Sequence, residues 1–161
     1  MIEMPELFLR RPISVCDSHE GLLTLVYKVV GEGTQKMAEM TEGTTLNIIT
    51  GLGNGYRSPS PSLPEGRENE PQQVLLVGGG VGVPPLFYQA RVLRAQGVHV
   101  TVVLGFNAIN EVFAVEDFKR LGCEVTVLHK VHALHKEHGT LPSLLWFHYV
   151  LRCRLLRIHF L

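Results

Sequence analysis

The sequence predicts an α/β plus β fold: a partial β-barrel followed by a partial parallel βαβαβ domain. Three observations predict it. Residues 1–56 hold short runs rich in β-branched residues, bounded by Gly, Asp, Ser and Asn. Residues 72–128 alternate apolar strand-like runs with amphipathic segments that end in glycine. Between them RSPSPSLPEGRENEP, residues 57–71, is rich in Pro, Ser and charge without an apolar period, as a linker or exposed loop would be. A chain of 161 residues, 45% apolar and 19% charged, has the composition for a packed core, as one ordinary domain or two small ones.

In the first half the strand candidates are ISV (13–15), LLTLVYKVV (22–30) and TTLNIIT (44–50). TQKMAEM has helical character, with Met37 and Met40 three apart and Thr34 as the N-cap. Three strands cannot close a barrel, so this half is expected to be incomplete. In the second half QQVLLV (72–77) reads as a buried strand. PPLFYQARVLRAQG follows as a helix with Leu86, Ala90 and Leu93 on one face and Gly97 as its stop. HVTVVLGF (99–106) is the next strand, EVFAVEDFKRLG a helix ending in Gly122, and CEVTVL (123–128) the last strand. Such a unit has parallel strands, right-handed crossovers and a ligand crevice at the carboxyl ends of its strands.

Composition narrows the function classes. The formal net charge is zero, without the basic footprint of a nucleic-acid binder. The three cysteines, Cys16, Cys123 and Cys153, form no CxxC pair; they read as reduced thiols of a cytoplasmic protein rather than a disulfide framework or zinc knuckle. MIEMPELFLRR does not read as a signal peptide, because Glu3 and Glu6 precede any apolar run. The apolar stretch Leu141–Leu161 contains Arg152, Arg154 and Arg157, each costly at membrane depth, so no transmembrane helix is expected.

The most informative segment is VGGGVGVPPL, residues 77–86. Gly78, Gly79, Gly80 and Gly82 fall between a strand and a helix, where backbone N–H groups and the helix dipole attract phosphate and no Cβ intervenes. Pro84 and Pro85 suit the first helical turn, where a missing N–H is no loss. The pattern is GxGxxP, not the dinucleotide fingerprint GxGxxG, and it lacks a P-loop lysine. The same glycines would also serve as a turn that only packs helix on sheet. In RRPISVCD, Arg11 could reach a pyrophosphate while the Ser14 hydroxyl points nearby; taken alone, an edge-strand arginine and a buried serine fit better. In YKVVGEGT a strand runs into Gly31 and Gly33, and Thr34 opens a helix, which makes either a second phosphate turn or a simple left-handed turn. GLGNGY (51–56) by itself is a turn.

Taken in order, RRPIS, YKVVGEGT, GLGNGY, LLVGGGVGVPPL and VTVVLGF resemble the electron-transfer subunits of NAD-linked (class 1B) dihydroorotate dehydrogenase, in the ferredoxin reductase superfamily. The resemblance covers about Leu7 to Leu128. It implies an FAD-binding barrel, an NAD-binding α/β domain and a C-terminal [2Fe-2S] cluster. Arg11, Pro12, Ile13 and Ser14 then match the flavin motif, with Arg11 at the pyrophosphate and Ser14, the catalytic candidate, near the reactive ring; much of the superfamily has an aromatic where Ile13 stands. Val26, Tyr27 and Lys28 match a second flavin-contacting strand, Gly33 and Thr34 the flavin phosphate turn, and Gly78–Gly82 with Pro84 the nicotinamide-dinucleotide loop. The implied partner is a catalytic subunit that oxidises dihydroorotate, in a hetero-oligomer serving pyrimidine biosynthesis. Alternatives are a related reductase with a ferredoxin, sulfite or hydrogenase partner, or a non-catalytic nucleotide-binding remnant.

The chain also departs from the family pattern. Only ten residues precede Arg11, where the family has barrel strands, and the family's cysteine cluster is not found after Leu128. From His129 onward lie six of the eight histidines and a single acidic residue, Glu137. His129, His132, His135 and His138 recur every third residue, which no regular element presents on one face, so no metal site is expected there. Residues 129–161 are expected to be an atypical tail, from a frame shift or gene-model error, on a chain truncated at both ends. The acidic residue expected about 20 positions beyond a dinucleotide glycine loop is not evident in VTVVLGFN, which leaves NAD against NADP open.

Overall fold

The computed structural model describes residues 1–56, 72–129 and 153–159. The expected linker 57–71 and most of the expected tail, with His132, His135 and His138, lie outside the described residues. The elements are β1 (Val15–His19), β2 (Leu22–Lys28), α1 (Glu32–Ala38), β3 (Gln73–Gly79), α2 (Pro84–Ala95), β4 (His99–Phe106), α3 (Val115–Arg120), β5 (Glu124–His129) and β6 (Cys153–His159). They form two three-stranded sheets, ordered β1-β2-β6 and β3-β4-β5.

The first sheet is antiparallel. Glu20 and Gly21, both at positive φ (50° and 75°), make the tight turn between β1 and β2; such a turn matches the right-handed strand twist. On β2 the residues Leu23, Leu25 and Tyr27 alternate inward and pack with Ile2, Met4 and Met37. The segment before β1 is tied in by Ile2, whose N–H donates to the Arg11 carbonyl at 2.9 Å while Arg11 N–H donates back at 2.7 Å.

Two strand expectations in this half are corrected. ISV is not itself a strand: pairing begins at Val15 and runs through the more polar CDSH, because that stretch lies opposite the apolar β2. TTLNIIT is not a strand either, and contributes one isolated bridge, Ile2 to Ile48. The helix starts at Glu32 with Gly31 as N-cap, so Thr34 is the third helical residue, not the cap. Its hydroxyl reaches back, accepting the Gly31 N–H at 3.2 Å and donating to the Gly31 carbonyl at 3.0 Å. A strand not foreseen in the sequence, β6, pairs with β2 along its length from Leu22–His159 to Lys28–Cys153.

The second sheet is parallel, with β4 central. Val100, Val102 and Leu104 on β4 are fully buried against Leu86, Ala90 and Leu93 of α2 and Phe118 of α3. β4 and α2 form at the expected places because their apolar periods, two and 3.6, match strand and helix. The helix expected over 111–122 is shorter. Ala114 sits at φ 63°, and only Val115–Arg120 are α-helical, while Phe113 turns inward to stack edge-on against Phe106 at 5.5 Å between centroids. Gly78 lets strand and helix approach: a Cβ there would lie 2.6 Å from Leu86 Cδ1 and 2.9 Å from the Gly82 carbonyl oxygen. No helix among the described residues is long and apolar enough to cross a membrane.

Candidate functional site

Two cavities adjoin near the end of β2 and the glycine loop. One, of about 500 Å³, is walled by Arg11, Pro12, Ile13 and Ser14 from the segment entering β1 and by Val26, Tyr27 and Lys28 at the end of β2. The turn into α1 supplies Gly31, Glu32, Gly33 and Thr34, and Val81 supplies the far side. The second, of about 600 Å³, lies at the carboxyl ends of β3, β4 and β5, lined by Gly79, Gly80, Gly105, Phe106, Asn107, Glu111, Leu128 and His129. Lys28 and Val81 line both, so the two spaces adjoin.

The first cavity gathers all nine candidates from the first half of the chain. Arg11 is aimed by two constraints. Its backbone is pinned to Ile2, and its side chain lies over Gly33, where an added Cβ would come within 2.2 Å of its Nε. That Nε is buried and has no hydrogen-bond partner among the described residues. A buried guanidinium nitrogen without an acceptor is costly, and a phosphate oxygen would supply one. Its neighbour Arg10 points the other way, to the Glu3 carboxylate and the Asn47 side chain, as successive residues of an extended chain do. The Thr34 hydroxyl is engaged with Gly31 and also accepts the Val30 N–H at 2.9 Å, so it shapes the turn from beneath. Ser14 stands exposed at the cavity wall. A buried guanidinium nitrogen without a partner, a turn carrying Gly31 and Gly33, and a partly apolar wall together fit a flavin dinucleotide.

The glycine loop divides. Gly79 and Gly80 line the second cavity; Gly80, at φ 51°, faces open space, so a ligand can reach the backbone there. Gly78, Gly82 and Pro84 do not line it. Gly78 lies beneath the loop against Leu86, while Gly82 and Pro84 carry the chain into α2. Asn107 and Glu111 carry no motif in the sequence, and His129 figures there only in the spacing argument against a metal site; the signal for all three was position, just beyond β4 and at the end of β5. The Glu111 side chain makes no hydrogen bond or ion pair among the described residues, and it brings a carboxylate to the wall of this cavity.

Burial first, then the negative charges of Asp17 and Asp117, push Cys16 up to about 11, and burial raises Cys123. Among the described residues no three His, Cys, Asp or Glu side chains are grouped to hold a metal ion.

Two sheets of this order with adjoining cavities define the class. A solved structure of an NADH-dependent reduced ferredoxin–NADP oxidoreductase, described for flavin-based electron bifurcation, matches with a TM-score of 0.59 at 34% identity, over 83% of this chain and 48% of that one. The chain thus has a ferredoxin-reductase-like, partial two-domain fold. More particularly, its curated homologues are electron transfer subunits of dihydroorotate dehydrogenase B (NAD+). Those of Fusobacterium nucleatum, Shouchella clausii and Caldanaerobacter subterraneus are 41%, 42% and 43% identical over 116, 122 and 120 residues, or 71%, 74% and 74% of this chain. The chain spans less than half the length of these relatives, 42%, 44% and 42%. No family model matches it.

Proposed function

We propose that the chain binds FAD in the cavity around Arg11 and a nicotinamide dinucleotide in the cavity around Gly79 and Gly80, and serves electron transfer of the dihydroorotate dehydrogenase type in pyrimidine biosynthesis. The observation that carries this reading is the adjoining of the two cavities at Lys28 and Val81. When bound, the cofactors supply the redox chemistry, hydride exchange between nicotinamide and flavin and single-electron release from the flavin. The protein's share is placement. Arg11 offers its unpartnered Nε to a phosphate, Gly33 leaves room for that guanidinium, and Thr34 fixes the turn between them. Ile13 and Pro12 give the cavity apolar walls, and Ser14 presents a hydroxyl to the reactive ring. Gly79 and Gly80 would let the second pyrophosphate approach the backbone, and Val81 borders the junction of the two cavities.

The family relationship supports a catalytic dihydroorotate dehydrogenase subunit as partner in a hetero-oligomer in the cytoplasm, with a [2Fe-2S] centre between them in the complete assembly. A related reductase partnered by ferredoxin is favoured by one observation, the solved structure that the chain matches. The test is a visible spectrum after incubation with FAD and desalting, followed by NADH. A retained flavin band that bleaches supports the reading, and a folded chain that retains no flavin refutes it. Co-expression with a dihydroorotate dehydrogenase catalytic subunit or a ferredoxin separates the two partners.

A further inference from the structure

The two cavities belong to different sheets, so their spacing depends on what joins the sheets. Helix α2 continues directly from the glycine loop and packs Leu86, Ala90 and Leu93 into the parallel-sheet core, so helix and loop move as one body. Strand β1 continues directly from Ser14, a wall of the other cavity. Arg91 of α2 crosses to β1. Its Nε donates to Asp17 Oδ1 at 2.9 Å, and its Nη2 donates to the Ser18 carbonyl at 2.7 Å and lies 2.9 Å from the same Oδ1. Its Nη1 lies 3.5 Å from His19 Nδ1, and its guanidinium carbon sits 5.3 Å from the Tyr88 ring centroid. The β1–β2 register shifts between Val15 and Asp17, an irregularity of the kind that re-aims a side chain. Arg94, one turn further along α2, does the opposite. It donates to the Val98 and Leu121 carbonyls, inside its own domain.

We propose that Arg91 is a positioning residue, a guanidinium clamp from α2 to Asp17 and Ser18 of β1 that sets the spacing between the flavin and nicotinamide cavities. A single exposed ion pair holds little, but a planar fork on a carboxylate and a carbonyl at once fixes angle as well as distance. The Arg91 and Asp17 side chains are only 28% and 20% exposed, so water competes weakly for the contact. Val81, on the loop leading into α2, lines both cavities, so a shift of the helix opens or closes their junction. Hydride transfer is steep in distance: a misplacement of about 1 Å costs on the order of 100-fold in rate.

The functional consequence rests on the proposed FAD and nicotinamide sites; the clamp itself does not. The experiment therefore has two readouts, on Arg91→Ala, Arg91→Lys and the swap Arg91→Asp with Asp17→Arg. In the flavin-free chain, hydrogen exchange of residues 15–19 should rise in Arg91→Ala and fall back in the swap; unchanged exchange overturns the clamp. In the FAD-loaded chain, Arg91→Ala should keep flavin and bind NADH within about threefold of the parent. Its flavin should bleach at least tenfold more slowly at saturating NADH, with Arg91→Lys between and the swap recovering most of the rate. An unchanged bleaching rate, or a swap no better than Arg91→Ala, overturns the positioning role. A parent that holds no flavin overturns the site reading, while the exchange experiment still decides the clamp. If Arg91→Ala does not fold, Arg91→Lys and the swap carry the same comparisons.

Discussion

Gly33→Ala isolates the Arg11 site. Gly33 is the second residue of α1, where alanine gains about 1 kcal/mol of helix propensity over glycine. At this position the added Cβ would stand 2.2 Å from Arg11 Nε, 2.7 Å from Cδ and 2.8 Å from Cζ. The three nearest atoms all belong to the Arg11 side chain, so the clash resolves by displacing the guanidinium. Thermal stability should change by only a few degrees. The contact of Arg11 with a phosphate should go, and a hydrogen bond to a charged group is worth about 1.5–3 kcal/mol, or roughly 10- to 100-fold in FAD affinity. The assay is quenching of flavin fluorescence on titration, for the parent, Gly33→Ala, Arg11→Ala and the double variant. Because Gly33→Ala acts through Arg11, the double variant should bind no more weakly than Arg11→Ala. Undiminished FAD affinity in Gly33→Ala, or additive losses in the double variant, would refute the argument.

Other expectations concern neighbouring parts. Glu111→Gln should remove a carboxylate from the nicotinamide-side cavity and raise affinity for 2′-phospho-ADP-ribose relative to ADP-ribose on the order of tenfold, measured by calorimetry. Cys16 is raised in the folded chain from 9.0 to about 11, so its contribution to stability is intact below pH 9 and is lost as pH climbs toward 11. Urea unfolding at pH 8 and pH 10.5 should show that loss in the parent and a smaller one in Cys16→Ala. Ile158→Ala should cost about 1–2 kcal/mol in the same assay, because this half-buried residue of β6 packs on the first core; no loss would mean that β6 docks without contributing.

What the sequence made legible followed periods and punctuation. HVTVVLGF formed β4 at the expected bounds because its alternate residues are all buried, and α2 formed where prolines opened it and a glycine followed. Ala114 was illegible: alanine carries no signal for a left-handed backbone, so the apolar period of EVFAVEDFKRLG ran straight through the break. TTLNIIT had the right residue types for a strand, but pairing is decided by a neighbour, and its contacts with residues 1–3 amount to one isolated bridge at Ile48 rather than a ladder. In β6 the alternation of Leu156 and Ile158, partly buried, with Arg157 and His159, exposed, was present to be read; the surrounding histidines and arginines drew attention to composition instead.

Much of the lining of the candidate site was more legible than the fold around it, for a physical reason. A phosphate cradle needs bare backbone at particular positions, so it is written in glycines, and glycine has few other reasons to cluster. Yet glycines that look alike have different tasks here. Gly80 faces the ligand space, Gly78 admits a helix, and Gly33 admits a neighbouring arginine. Only the last ties the flavin-side turn to a charge, and that arginine is held in place by Ile2, the second residue of the chain. The same dependence runs through β6, which flanks β2 opposite β1 and so protects an edge whose last residues wall the cavity around Arg11. The residues that line the two cavities thus depend on segments from both ends of the described chain, neither of which carries a motif of its own.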